Sequence, residues 1–205
     1  IYIAHLSLCT RLINLFGSVD LKKKFLPSLV AGEKIGAFAL TEPNSGSDSA
    51  ALSTTASKDG SDYILNGTKH FITNAGEADI FVIMATRDRN LRSRGINAFV
   101  VEKHTPGMTV TKQKGKMGLR ASSTAEINFE ECRVPGGNML GTKGQGFKQA
   151  MGALNTSRIE VAAQALGIAQ SAYESSVIYS QKRQAFGQNI SSFQGIQWML
   201  VEMAT

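Results

Sequence analysis

Cysteine is scarce. Cys9 and Cys132 stand far apart with no CxxC spacing, which excludes a disulfide scaffold and a thiolate zinc site. His5, His70 and His104 show no metal-ligand spacing either, so no metal is expected. No apolar run reaches the roughly 18 residues of a membrane span, and no secretory leader opens the chain, so we expect a soluble protein of a reducing compartment. Aromatics make up only 7% of residues and rarely alternate with the basic ones, so the net charge of +6 suits an anionic partner without indicating nucleic acid. No GxGxxG follows a strand. The nearest run, Gly141-Thr142-Lys143-Gly144-Gln145-Gly146, reads as the flexible lead into the next helix. No nucleophilic triad assembles around the serines.

What is present suffices for a full core, with 42% hydrophobic residues in 205. Ile1 opens inside an apolar run and Thr205 stops inside a helical pattern, so further residues are expected beyond both ends. Tyr2 to Phe16 places Leu6, Cys9, Ile13 and Phe16 at helical spacing and ends at Gly17, read as a C-terminal glycine cap. Ser18 caps a second helix, with Leu21, Phe25, Leu26 and Leu29 on one face and Lys22 to Lys24 in solvent. From Ile35 to about Val134 the period becomes strand-like. Asp59-Gly60 and Asn66-Gly67 both read as tight hairpin turns, and repeated strands without intervening helices predict an antiparallel barrel or sandwich. Gly146 then opens one helix of about 35 residues by its spacing. Phe186-Gly187-Gln188 ends it, and Ser192 is read as the cap of a final helix over Phe193 to Met203.

The chain is organised around Ala37 to Asp48, AFALTEPNSGSD, an apolar strand running into a turn of Pro43, Asn44, Ser45, Gly46 and Ser47. Such a turn offers consecutive amides and hydroxyls to a polar or anionic cofactor, although turns like it follow strands in most folds. More specific blocks accompany it in order. They are Leu65-Asn66-Gly67-Thr68-Lys69 with Ile72-Thr73-Asn74, Lys116-Met117-Gly118 with Arg120 and Ser122-Ser123-Thr124, Gly146-Phe147, and Arg183-Gln184-Ala185-Phe186-Gly187. Together they resemble the acyl-CoA dehydrogenase family along essentially the whole chain, most closely its short-chain, butyryl-type members.

The resemblance implies an α+β fold: the end of an amino-terminal helical domain (1–34), a central antiparallel β-barrel domain for FAD and substrate (35–135), and the first part of a carboxy-terminal four-helix bundle (136–205), truncated here. It implies α,β-dehydrogenation of a short-chain acyl-CoA thioester, with the α proton taken by a carboxylate and the β hydrogen passing as hydride to flavin N5. Thr41 and Thr73 would lie near the flavin ring. Ala37, Phe38, Ala39, Leu40 and Ile72 would contribute main-chain and packing contacts. Gly46 would leave space, and Phe71 would stack where many members have tryptophan. Arg183, with Phe186 and Gln194, would reach a neighbouring subunit's FAD, the arginine at its pyrophosphate. Ser47, Asn155 and Arg158 would touch the substrate, Asn155 replacing an aspartate common in short-chain relatives and Arg158 alternatively closing an internal ion pair.

No catalytic base is expected within the segment. In most of the family it is a glutamate, here expected beyond Thr205. The branched-chain position matches Ser157, which cannot serve. Glu160 would lie on another face, and Glu42 reads as a fold carboxylate held by turn amides or a lysine. The resemblance further implies an electron-transfer flavoprotein as partner, a homotetramer, and bacterial cytoplasm or mitochondrial matrix as compartment. An oxygen-reducing acyl-CoA oxidase, a nitroalkane-type enzyme and a non-catalytic assembly or binding member remain alternatives.

Overall fold

The computed structural model describes residues Ile1–Thr205, in two units, Ile1–Ser157 and Arg158–Thr205. In the first, a π-helical segment, Ala4–Thr10, continues into α1 (Arg11–Phe16), and α2 (Val19–Val30) follows. Ser18 caps α2 as expected, its Oγ accepting from Leu21 N–H at 3.2 Å. Gly17 is not a left-handed cap: its backbone is extended (φ −68°, ψ 146°). Glycine is needed there for space, because a Cβ would lie 2.5 Å from the Ile13 carbonyl.

Seven strands form the main sheet: β1 (Gly36–Ala39), β2 (Thr55–Asp59), β3 (Asp62–Thr73), β4 (Ile80–Thr86), β5 (Ile96–Glu102), β6 (Met108–Lys112) and β7 (Thr124–Val134). Their order is β1-β4-β2-β3-β7-β6, with β5 on the other side of β4. The sheet is mixed. Most pairings are antiparallel, but β1 runs parallel to β4 (Phe38↔Val82), as does β2 at Thr55↔Thr86. β1 and β2 point the same way with residues 40–54 looping out between them. β3 turns back antiparallel to β2, and β4, reversing again, must run along β1.

β4 is buried along its whole length because both faces are covered. Phe81, Ile83 and Ala85 enter the core inside the sheet with Leu65, Phe99, Ile127 and Phe129. Ile80, Val82 and Met84 pack outward against Leu12, Ile13, Phe25 and Leu29 of the helices. Each such buried side chain stabilises by roughly 1.5–3 kcal/mol, so this strand fixes the frame on which the functional turn is hung.

Asp59-Gly60 makes the expected hairpin, pairing Asp59 with Asp62 and giving Gly60 a φ of +58°. Asn66-Gly67 does not turn: β3 runs straight through it, and the register with β7 slips between Leu65 and Gly67, a β-bulge. The Asn66 side chain seals the bulge, accepting from Glu131 N–H (2.8 Å) and donating to Glu131 Oε1 (2.7 Å). Gly67 has φ +139° and lies against Thr54, where a Cβ would come 2.7 Å from the Thr54 Cα. Gly67→Ala is therefore expected to destabilise the full-length protein by about 2–4 kcal/mol in chemical denaturation, from backbone strain plus overpacking. A loss below about 0.5 kcal/mol would contradict this account of the bulge.

A single helix, α3 (Gly146–Lys182, 37 residues), follows. Gly146 starts it against the Asn97 backbone, which a Cβ would meet at 2.6 Å. In the second unit a two-residue turn, Phe186-Gly187, joins the short strands β8 (Gln184–Ala185) and β9 (Gln188–Asn189), and α4 covers Gln194–Ala204. Ser192 does not cap α4. It closes a 3₁₀ turn, Ile190–Ser192, and the cap residue is Phe193, with no side-chain bond. No helix is long and apolar enough to cross a membrane.

Candidate functional site

The turn after β1 is locked by one buried ion pair. Lys69 Nζ lies 2.7 Å from Glu42 Oε1, with the two side chains 0% and 1% exposed. Ser53 N–H and Oγ–H and Thr54 N–H also donate to the Glu42 carboxylate. Burial alone would raise the Glu42 pKa; the Lys69 charge and the hydrogen bonds outweigh it and hold the carboxyl at about 2. Burial pulls Lys69 the other way, down to about 8, against the favourable field of Glu42. Glu42 is therefore the fold carboxylate the sequence suggests, fully engaged and closed to proton abstraction.

The pair positions Thr41. Lys69 Nζ donates to the Leu40 carbonyl at 3.0 Å and to Glu42 on Thr41's other side, while His70 N–H donates to the Thr41 carbonyl at 2.8 Å. Three consecutive residues are thus pinned to β3, which carries Phe71, Ile72 and Thr73 further along. Thr41 and Thr73 are half-buried, and neither hydroxyl is spent on a protein hydrogen bond. Ala37, Ala39, Leu40 and Ile72 are buried and Phe38 half-buried, so they offer backbone and support rather than open side chains.

Phe71 stands 63% exposed at φ +57°, a left-handed conformation costly for an aromatic residue and imposed by the register slip between Lys69 and Ile72. Its ring meets the His70 ring edge-on at 4.1 Å. His70 is itself held between Glu126 (Nδ1 to Oε2, 2.9 Å) and the Gln113 side-chain amide (Nε2 to Nε2, 3.1 Å). This brace under Phe71 escaped the sequence reading, since its members are 43 and 56 residues apart.

Beyond Glu42 the turn closes on itself, through Glu42↔Ser45 pairing and a bond from Ser45 Oγ to the Asp48 carbonyl at 2.8 Å. Gly46 and Ser47 are left exposed at its tip. Arginines from the β4–β5 loop grip its far end, Arg92 at Asp48 and Arg89 at the Ser53 carbonyl, a contact that sequence reasoning also missed. At the other end of the site Asn74 flanks a cavity of about 310 Å³ with Lys116, Arg120 and Ser123, and its Oδ1 is buried without a partner.

The remaining sequence-predicted residues lie on or after α3. Asn155 is exposed in the first unit, where Ser157 is buried with its Oγ donating to the Leu154 carbonyl at 3.0 Å. In the second unit Arg158, Arg183 and Gln194 are exposed, and neither arginine meets a carboxylate of these residues. Phe186 is 95% exposed, its ring 6.1 Å from that of Phe193. Glu160 keeps Oε2 buried without a partner.

Uncommitted hydroxyls on a rigid strand end, an exposed aromatic face on a braced backbone and a polar turn with a glycine tip fit a flat, hydrogen-bonding cofactor. His, Cys, Asp and Glu form no group of three or more that could hold a metal. Comparison with known proteins narrows the chemistry. Residues 37–132 match the acyl-CoA dehydrogenase middle domain and residues 144–205 the acyl-CoA dehydrogenase C-terminal domain. The short-chain specific acyl-CoA dehydrogenase of Clostridium acetobutylicum is 49% identical over 200 residues, 98% of this chain and 53% of that protein. The butyryl-CoA dehydrogenase of Megasphaera elsdenii superposes with a TM-score of 0.95 at 47% identity, over 98% of this chain and 53% of that one. A chain in a structure described as the electron transferring flavoprotein of Acidaminococcus fermentans gives a TM-score of 0.95 at 48% identity, with the same coverage. The chain spans about half the length of these relatives.

Proposed function

Because the chain belongs to the acyl-CoA dehydrogenase family, we propose that the whole protein binds FAD and dehydrogenates a short-chain acyl-CoA thioester between its α and β carbons. The observation that carries this reading is the pair of half-buried hydroxyls free of protein hydrogen bonds, Thr41 fixed by the Glu42–Lys69 lock and Thr73 by its pairing with Thr124, with exposed Phe71 two residues before Thr73. FAD, when bound, supplies the two-electron sink that no side chain can provide. Thr41 and Thr73 would hold its polar edge, Phe71 its face, and the backbone of Ala37, Phe38, Ala39, Leu40 and Ile72 its surroundings, with Gly46 leaving room. A hydroxyl suits this task because it donates a hydrogen bond without adding a competing charge.

Arg183, Phe186 and Gln194 would serve the FAD of a neighbouring subunit in a homotetramer. The exposure and unpaired charge of Arg183 support that role, as a planar guanidinium matches paired phosphate oxygens. Ser47, Asn155 and Arg158 would contact the thioester. The α proton would go to a glutamate of the longer family chain beyond Thr205, since Glu42 is locked in its ion pair. The segment would comprise the end of a helical domain (1–34), the β domain (35–135) and the start of a helical bundle (136–205), an assignment supported by the family matches at 37–132 and 144–205. Electrons would pass to an electron-transfer flavoprotein, in a bacterial cytoplasm or mitochondrial matrix.

The test is anaerobic mixing of the full-length protein with butyryl-, octanoyl- and isovaleryl-CoA while following the long-wavelength flavin absorbance. Butyryl-CoA is expected to bleach it fastest. Bleaching by none of the three would end the enzymatic reading, and fastest bleaching by isovaleryl-CoA would end the short straight-chain one. Rapid reoxidation by air with peroxide release would point instead to an oxidase.

A further inference from the structure

Two residues of β3, His70 and Phe71, stand opposite one residue of β7. The ladder pairs Lys69 with Ile127 and Ile72 with Ala125, so Glu126 alone faces both across the bulge. A bulge re-aims the side chains it carries, and this one turns Phe71 outward, where the ring is 63% exposed and belongs to neither apolar core. Core packing therefore does not fix its orientation.

The neighbouring ring does. The His70 and Phe71 centroids lie 4.1 Å apart with the planes at 67°, an edge contact of the kind aromatic pairs favour. A support must itself be held, and both imidazole nitrogens are engaged: Nδ1 is 2.9 Å from Glu126 Oε2, and Nε2 is 3.1 Å from the Gln113 side-chain amide. Glu126 belongs to β7 and Gln113 directly follows β6, so three adjacent strands hold one ring. The His70 and Glu126 side chains are 26% and 40% exposed, and a contact this wet adds little to stability. What it supplies is direction. The left-handed backbone at Phe71, φ +57°, is a conformation that concentrates at binding sites, and the brace stands beside it.

We propose that His70 is a positioning residue for the flavin: clamped between Glu126 and Gln113, it holds the exposed Phe71 ring in one orientation before FAD binds, so that the cofactor meets a preset aromatic face. The proposal rests on the reading of Phe71 as a contact of FAD. His70 serves the site through two separable groups. Its ring braces Phe71, while its backbone N–H donates to the Thr41 carbonyl at 2.8 Å, and a side-chain substitution removes the first and keeps the second. An unbraced ring has to be ordered when the ligand arrives, and ordering one side chain costs a factor of about two to ten in affinity.

The full-length flavoprotein, stripped of FAD and titrated with it, tests this without turnover. His70→Ala is expected to weaken FAD binding about fivefold while chemical denaturation stays close to wild type. Glu126→Ala, which frees the same ring from the β7 side, should act in the same direction, and Glu126→Gln, which keeps an oxygen for Nδ1, should restore most of the affinity. The decisive arm is a double-mutant cycle: in a Phe71→Ala background His70→Ala should have no further effect, because no ring remains to be held. With 4-fluorophenylalanine at position 71, the fluorine resonance of the flavin-free protein should move toward that of the free amino acid on His70→Ala and stay in place on Lys58→Gln, which alters only an exposed hairpin cation. An FAD affinity for both alanine variants within a factor of about 1.5 of wild type, or an undiminished His70→Ala effect without Phe71, would overturn the assignment, as would an unmoved fluorine resonance. If wild type takes up FAD and any of these results is found, the positioning role falls alone. If wild type takes up no FAD, the flavin reading falls and carries this proposal with it.

Discussion

Replacing Lys69 by methionine is expected to cost the full-length protein about 3–5 kcal/mol in chemical denaturation, enough to leave a marginal domain largely unfolded. The loss comes less from the ion pair itself than from what remains: Glu42, 3% exposed, would keep a negative charge with no counter-ion. The pH dependence exposes the mechanism. With Lys69 present, the Glu42 carboxyl sits near 2 against an ordinary value of 4.5, so its stabilising contribution is complete above about 4.5 and fades as pH falls toward 2. Without Lys69, burial dominates and raises the pKa, so the variant should bind its proton more readily when folded and narrow its deficit as pH falls. Lys69→Met/Glu42→Gln should recover part of the loss at neutral pH, since an amide needs no counter-ion. A single variant within about 1 kcal/mol of wild type at neutral pH would show that the pair does not lock the turn. Flavin content reports the functional side, because Leu40 and Glu42, on either side of Thr41, lose their anchor to β3 in the same step.

How far the sequence carries depends on whether a feature is local. The strand-like zone from Ile35 to about Val134 was legible from its period, α3 as a long helical period and Ser18 as a cap, because each is decided by residues a few positions apart. Strand direction was not, so a parallel β1–β4 pair stands where antiparallel strands were expected. Asn66-Gly67 shows the limit clearly. The dipeptide permits either a hairpin or a bulge, and Glu131 opposite, 65 residues away, decides for the bulge. The candidate site divides the same way. Thr41, Phe71 and Thr73 were reached through contiguous motifs. The Arg92 grip on Asp48, across 44 residues, and the His70–Glu126 brace, across 56, exist only once the strands are paired. Glu42 was legible as structural, but its partner, 27 residues away, required the structure.

Thr41→Val and Thr73→Val are each expected to slow flavin reduction by about a hundredfold or more while leaving folding and FAD content close to wild type. Valine keeps the β-branched shape that suits a strand end and removes only the hydroxyl. Neither hydroxyl satisfies a protein group, so its removal orphans no buried partner, and the stability cost that usually follows loss of a hydrogen bond does not arise. A rate cost is expected on the proposed reading, because a preorganised donor aimed at developing negative charge is typically worth about 10² to 10³ in rate. Serine at either position restores the donor without the methyl group and should recover most of the rate. The two sites differ in support: Thr41 hangs on the Lys69 and His70 contacts, whereas Thr73 is held by pairing with Thr124 on β7. Thr41→Val should therefore also respond to loosening of the lock, and its effect should shrink in a Lys69 variant rescued at Glu42, while that of Thr73→Val should not. Anaerobic stopped-flow reduction by butyryl-CoA, with bound FAD quantified beforehand, separates these outcomes. Wild-type rates in both valine variants would remove the hydroxyls from the chemistry and leave them as ordinary strand threonines.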